Sequence, residues 1–278
     1  MDFIEILKAV LQGIIQGVTE WLPISSTGHI LLLDAVWPMQ VSKDFFDIFK
    51  VVIQLGSILA VVVLYFHKLN PFSPKKTAEQ KRGTWNLWFK VAVASIPTAI
   101  IGLAIDDLVD EKLSTPLVIA ITLFLYGVGF LLLESFPPKT KVSSLNDISF
   151  GRALGIGAFQ TLSLIPGTSR SGSTILGGSL LGTSREVAAE FSFFMAIPAM
   201  VGASGIKVLK FLLDGLSLTA GEWIALAVGT VVSFVVSLFA IRFLMGYIKR
   251  HDFKVFGWYR IALAAVLAVA MITGLLAK

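Results

Sequence analysis

The chain has 278 residues, of which 55% are hydrophobic and only 15% charged, with a net charge of +5. Soluble domains carry nearer a quarter charged residues, so the composition excludes an ordinary soluble enzyme and points to a polytopic helical membrane protein. Cytoplasmic loops of membrane proteins collect such a positive surplus, which argues against nucleic-acid binding. The absence of cysteine rules out disulfides, thiolate nucleophiles and cysteine metal sites.

The opening Met1-Asp2-Phe3-Ile4-Glu5 is acidic and lacks the basic start and cleavage site of a signal peptide, so the N-terminal segment is expected to stay in the mature protein. Residues 4–37 are apolar but broken by Leu22-Pro23-Ile24-Ser25-Ser26. This predicts two short helical pieces around a polar loop. Stretches long enough to span, at about 20 apolar residues, follow at 45–66, 85–105 and 116–133. Residues 150–181 repeat the broken pattern, interrupted by Pro166-Gly167-Thr168-Ser169-Arg170-Ser171-Gly172. Spans at 187–213, 223–245 and 256–276 complete the set. Non-helical backbone at membrane depth is tolerated only where protein or water surrounds it. The expected fold is therefore all-α, with six transmembrane helices and two re-entrant helical hairpins.

Lys68, Lys75, Lys76, Lys81 and Arg82 follow the first span, Lys139, Lys141 and Arg152 the third, and Arg242, Lys249, Arg250 and Lys254 surround the gap after the fifth. Asp106, Asp107, Asp110 and Glu111 dominate the loop after the second, and Asp214 and Glu222 flank the loop after the fourth. Basic loops face the cytoplasm, which places both termini outside. The first broken region then enters from outside and the second from inside.

The two broken regions match each other. Pro23-Ile24-Ser25-Ser26 lies over Pro166-Gly167-Thr168-Ser169 at an offset of 143 residues, close to half the chain. Gly28 and Gly172 follow, and Gln16 and Gln160 precede, each within one residue of register. Residues 1–139 and 140–278 read as an inverted-topology repeat, each half holding one hairpin and three crossings. Such repeats bring broken-helix loops together near the midplane.

The polar loops hold the candidate chemistry. Ser169, Ser171, Ser173 and Thr174 at a helix start, with free backbone N–H groups, suit an anion. Arg170 adds a fork that grips phosphate oxygens. An arginine at the bilayer centre costs at least about 2.5–3.5 kcal/mol, and an anionic partner offsets it. In the first loop Gln16 and Glu20 stand four apart on one helix face. Ser25, Ser26, Thr27 and His29 follow. Ser26 is a candidate nucleophile with His29 as its base, and His29 is itself a candidate nucleophile. Glu20 is placed to hold a divalent cation with Gln16, to orient His29, or to pair with Arg170. Together the loops form an apparatus for phosphoryl transfer. No Walker-type loop is present, so a nucleotide substrate is not expected. A phosphate head on a hydrocarbon tail suits a polar pocket among apolar helices.

At these loops the chain resembles the undecaprenyl pyrophosphate phosphatase family, the bacitracin-resistance type. The residues are Gln16-Gly17-Val18-Thr19-Glu20, Pro23-Ile24-Ser25-Ser26-Thr27-Gly28-His29 and Pro166-Gly167-Thr168-Ser169-Arg170-Ser171-Gly172-Ser173-Thr174. Val52-Ile53-Gln54-Leu55-Gly56-Ser57 and Glu190-Phe191-Ser192-Phe193 also look like the family. The resemblance implies hydrolysis of undecaprenyl diphosphate to undecaprenyl phosphate and inorganic phosphate, which recycles the bacterial cell-wall lipid carrier and confers bacitracin resistance. It implies a multi-pass plasma-membrane protein, a site open to the outer face and a need for Mg²⁺ or Ca²⁺. Glu20, Ser26, His29 and Arg170 become the catalytic core. Ser25, Thr27, Ser169, Ser171, Ser173 and Thr174 bind phosphate, and Glu20 and Gln16 bind the metal. Many members carry glutamate where this chain has Gln16, so Glu20 is expected to bear more of the metal or proton role. The expected partners are the lipid substrate and membrane lipids, with a homodimer also allowed. A flippase or transporter of polyprenyl phosphate is the alternative, because inverted repeats are transporter architecture.

Overall fold

The computed structural model describes residues 2–215 and 217–276. The expected acidic loop falls partly outside it, because the side chains of Asp106, Asp107 and Asp110 lie outside the described residues. In chain order the helices are α1 (Phe3–Thr19), α2 (Ser26–Val36), α3 (Lys43–Leu64), α4 (Phe66–Leu69), α5 (Ala78–Leu108), α6 (Pro116–Ser135), α7 (Phe150–Thr161), α8 (Arg170–Leu180), α9 (Arg185–Leu213), α10 (Ala220–Ile248) and α11 (Lys254–Ile272). Six of them, α3, α5, α6, α9, α10 and α11, are long and apolar enough to cross a membrane. They correspond to the six expected spans, with α3 ending at Leu64 and α11 at Ile272, short of the expected ends at 66 and 276.

Most of these spans start before their apolar run, because polar residues begin the helix. Ser42, Thr115, Ser184 and Thr219 each accept a hydrogen bond from a first-turn backbone N–H, and Thr219 forms a reciprocal capping box with Glu222. The stretch expected as a loop after the second span is helical instead. There α5 runs to Leu108 and a π-turn continues over Val109–Leu113. Pro97 and Pro198 stay inside α5 and α9, whereas Pro23 and Pro166 sit in true breaks between helices.

Each break makes a hairpin. Lys8 Nζ donates to Pro38 O at 2.6 Å and Gln40 N donates to Glu5 at 2.9 Å, so the chain leaving α2 returns to the start of α1. Arg152 Nε donates to Leu181 O at 3.0 Å, which ties the start of α7 to the end of α8. The open ends of the two hairpins lie at opposite ends of the bundle. Met39 packs with Phe45, Val208, Phe211 and Leu226. Leu181 neighbours the bridge between Val142 and Thr183, close to the ion pair of Arg185 with Glu134. The tips meet between these ends.

Interhelix packing has an exchange pattern. Helix α1 lies on α10 and α7 lies on α5, while α6 pairs with α11 and α3 with α9. Small residues permit this closeness, as expected where lipid supplies no hydrophobic drive between helices. A Cβ on Gly157 of α7 would stand 2.0 Å from Ala94 O of α5, and one on Gly13 of α1 would stand 2.6 Å from Gly229 O of α10. Gly83 of α5 has nothing within 4 Å. Accordingly Gly157→Ala should lower stability by about 1–3 kcal/mol, and Gly83→Ala should raise it by up to about 1 kcal/mol. Thermal unfolding in detergent checks the pair, and equal effects would contradict this packing.

Candidate active site

The site forms where the hairpin tips touch. Ser25 and Ser169, each the residue before its helix, both have left-handed backbones with φ of 72° and 71°. A non-glycine residue in such a sparsely populated conformation pays about 1–3 kcal/mol, so the surrounding structure must hold both turns. The helices that follow, α2 and α8, have 11 residues each. This geometry corrects the register read from sequence. Ser25 corresponds to Ser169, and Ser26 corresponds to Arg170. The second loop is one residue longer between its proline and its helix. Gly167 in this loop has a φ of +91°, and an added Cβ there would meet Thr122 Oγ1 at 2.1 Å.

Glu20 and Arg170 join the tips. Arg170 Nη2 donates to Glu20 Oε1 at 2.9 Å, with both side chains nearly buried. Glu20 Oε2 accepts from Gln16 Nε2 at 3.0 Å and from Ser26 Oγ at 3.3 Å. Arg170 Nη1 donates to Ser192 O at 3.0 Å, and its guanidinium lies over Trp21. Losing one partner of a buried pair costs about 3–5 kcal/mol, so this contact fixes how the tips meet.

The hydroxyls divide into two groups. Ser171 Oγ donates to Glu20 O at 3.1 Å, Thr174 Oγ1 pairs with Ser192 Oγ at 2.6 Å, and Ser173 Oγ donates to Tyr126 OH at 2.9 Å. All three are fully buried and bind protein groups, so the structure places them beneath the tips as supports. Ser169 Oγ caps α8 by accepting from Gly172 N. Ser26, Ser169, His29 and Arg170 are partly open and Thr27 is exposed, and these line the mouth. Ser25 Oγ is buried without a partner.

Ser26 and His29 do not pair. His29 Nδ1 lies 2.7 Å from Ser25 O, an acceptor only, so Nδ1–H is the donor. In the neutral ring Nε2 then accepts from Tyr259 OH, 2.7 Å away, over a stacked ring. The group against Ser26 Oγ is Glu20, not His29.

Sequence reading missed the second arginine. Arg260 of α11 is fully buried and donates to Pro23 O at 3.2 Å, Gly167 O at 2.8 Å and Thr168 O at 2.9 Å. It holds both tips by their carbonyls, and its guanidinium lies over Tyr126. Among the described residues no carboxylate pairs with it. Its signal was an arginine inside an apolar span, which is functional by default. Two guanidiniums, one carboxylate and two helix N-termini therefore converge, an environment that favours an anion. A separate cavity of about 1210 Å³ at the basic end, lined by Lys68, Lys76, Arg82 and Glu190 among others, contains none of the candidate site residues.

The family model described as bacitracin resistance protein BacA matches residues 9–266. The chain belongs to that family. Among its relatives, a protein of Enterococcus faecalis is 54% identical, covering 96% of this chain and 98% of its own length. One from Lactiplantibacillus plantarum is 56% identical, with 95% and 96% covered. One from Streptococcus thermophilus is 53% identical, with 98% and 96% covered. Each is named undecaprenyl-diphosphatase. The flippase alternative draws no support from these names.

For this BacA-family chain the protein oxygens near Glu20 that a cation could use are few, since Arg170, Gln16 Nε2 and Ser26 already bond the Glu20 carboxylate. Among the described residues no three acidic or histidine side chains cluster. Glu20 offers one carboxylate, and Gln16 Oε1 is a buried oxygen without a partner. Hard divalent ions accept such sparse protein ligation when phosphate completes the shell. Removing the second arginine tests the tips. Arg260→Met leaves three buried carbonyls unpaired, at about 1–3 kcal/mol each before relaxation. It should lower both the unfolding midpoint and phosphate release. Unchanged values for both would show that Arg260 does not hold the turns.

Proposed function

We propose that the chain hydrolyses undecaprenyl diphosphate to undecaprenyl phosphate and inorganic phosphate in the bacterial plasma membrane, returning the cell-wall lipid carrier to use. The relatives' names support the substrate and reaction. The contact of Ser26 with Glu20, itself bound to Arg170, carries the mechanism. Arg170 and the N–H groups starting α2 and α8 bind the terminal phosphoryl group. Glu20 takes the proton of Ser26, whose Oγ attacks the terminal phosphorus. The bond from that phosphorus to the bridging oxygen breaks, and undecaprenyl phosphate leaves with the proton that Glu20 had taken. Water then cleaves the phosphoserine, giving inorganic phosphate and free Ser26. His29, held by Ser25 O and Tyr259 OH, shapes the mouth; attack through its Nε2 would require Tyr259 to move.

Glu20 and Gln16 would hold Mg²⁺ or Ca²⁺, and such an ion would neutralise diphosphate charge. The exchange pattern of helix packing supports an inverted repeat with halves near 1–139 and 140–278. Hairpins opening at opposite ends fit two re-entrant segments. The basic loops gather with the open end of α7 and α8, which we assign to the cytoplasm. Both termini then lie outside, and the site opens outward.

Phosphate release from a long prenyl diphosphate tests this reading. Glu20→Gln and Arg170→Ala should each lose about a hundredfold or more in kcat, and Ser26→Ala should yield no trapped phosphoenzyme. Chelation should stop release, and Mg²⁺ or Ca²⁺ should restore it. Full activity in both Glu20→Gln and Arg170→Ala would overturn the site.

A further inference from the structure

One face of α1 carries a polar row in an otherwise apolar helix. Glu5, Lys8, Gln12, Gln16 and Glu20 stand three or four residues apart, and all five are buried. The neighbouring face, with Gly13 and Gly17, packs on α10. The outer end of the row is fixed. Lys8 pairs with Glu5 at 2.7 Å, and both reach the residues after α2. The inner end is the active site, where Gln16 donates to Glu20 and Glu20 accepts from Ser26.

Between these ends the chain of hydrogen bonds is broken on both sides of Gln12. Both polar atoms of its amide are buried without any partner. Residues four apart on a helix are neighbours on one face, and water bridges polar groups that stand too far apart to bond directly. A buried amide with no partner is destabilising, and leucine would pack there at less cost. Water between polar groups supplies the missing partners.

We infer that this row is a water-filled track running from the open end of the first hairpin to Glu20 and Ser26. It delivers the second reactant of hydrolysis. The inference rests on the proposed hydrolysis. There, the lipid diphosphate would fill the mouth at Thr27, His29 and Tyr259, so water needs another way in. A water leaving the track attacks the phosphoserine phosphorus, the bond from phosphorus to Ser26 Oγ breaks, and Glu20 passes one proton of the water to Oγ, which restores the hydroxyl. Inorganic phosphate carries the new oxygen.

The chain lacks cysteine, so a single introduced thiol reports water access. In the full chain reconstituted in vesicles, Gln12→Cys should react with a small water-soluble thiosulfonate about tenfold or more faster than Ala9→Cys. Ala9 is fully buried in the adjoining apolar cluster. Gln12→Leu should cut kcat about fivefold with KM for a prenyl diphosphate unchanged, while its unfolding midpoint holds or rises. Gln12→Ser, small and polar, should keep kcat within about twofold. A merely structural glutamine would lose midpoint and activity together. The track is overturned if Gln12→Cys is as inert as Ala9→Cys, or if Gln12→Leu turns over like an active wild type. A wild type that releases no phosphate would overturn the hydrolysis reading instead, and the thiol rates would still decide the track.

Discussion

The structure turns on a charge pair that neither hairpin can make alone. Glu20 ends one hairpin helix and Arg170 begins the other, and they meet 2.9 Å apart in nearly complete burial. Each charge would be prohibitive at that depth without the other. Their contact therefore fixes the position of both turns. It also keeps Ser25 and Ser169 in backbone conformations that serine avoids. Arg260 completes the arrangement from below by binding carbonyls of both turns.

The same geometry gives the site its electrical character. The N-termini of α2 and α8 point at one place, with an excess of one guanidinium over carboxylate among Glu20, Arg170 and Arg260. A polyanion binding there compensates charges that the fold has already buried. The hydroxyls of Ser171, Ser173 and Thr174 belong to the rigid base of the site, which leaves Ser26 and Arg170 as the groups at the mouth.

Much of this was legible in the sequence, and for a stated reason. The six spans show because twenty apolar residues have few other uses, and the two breaks because proline and serine interrupt apolar runs. Glu20, Ser26 and Arg170 stood out as polar groups in oily surroundings. The match at an offset of 143 set Ser25 over Thr168, whereas Ser25 and Ser169 are the two serines with positive φ; Gly28 and Gly172, 144 residues apart, already carried that register. Arg260 was overlooked because its partners are backbone carbonyls from distant segments, with no side-chain motif to mark them. The assignment of Ser26 to Glu20 instead of His29 depended on Tyr259, 230 residues away in the chain.

The central claim is that Glu20 and Arg170 work as one unit across the two tips. A double-mutant cycle on kcat/KM for a prenyl diphosphate measures it directly. If the pair is one unit, Glu20→Gln with Arg170→Gln loses little more than the worse single variant. Losses that multiply, as for two independent groups, would contradict it.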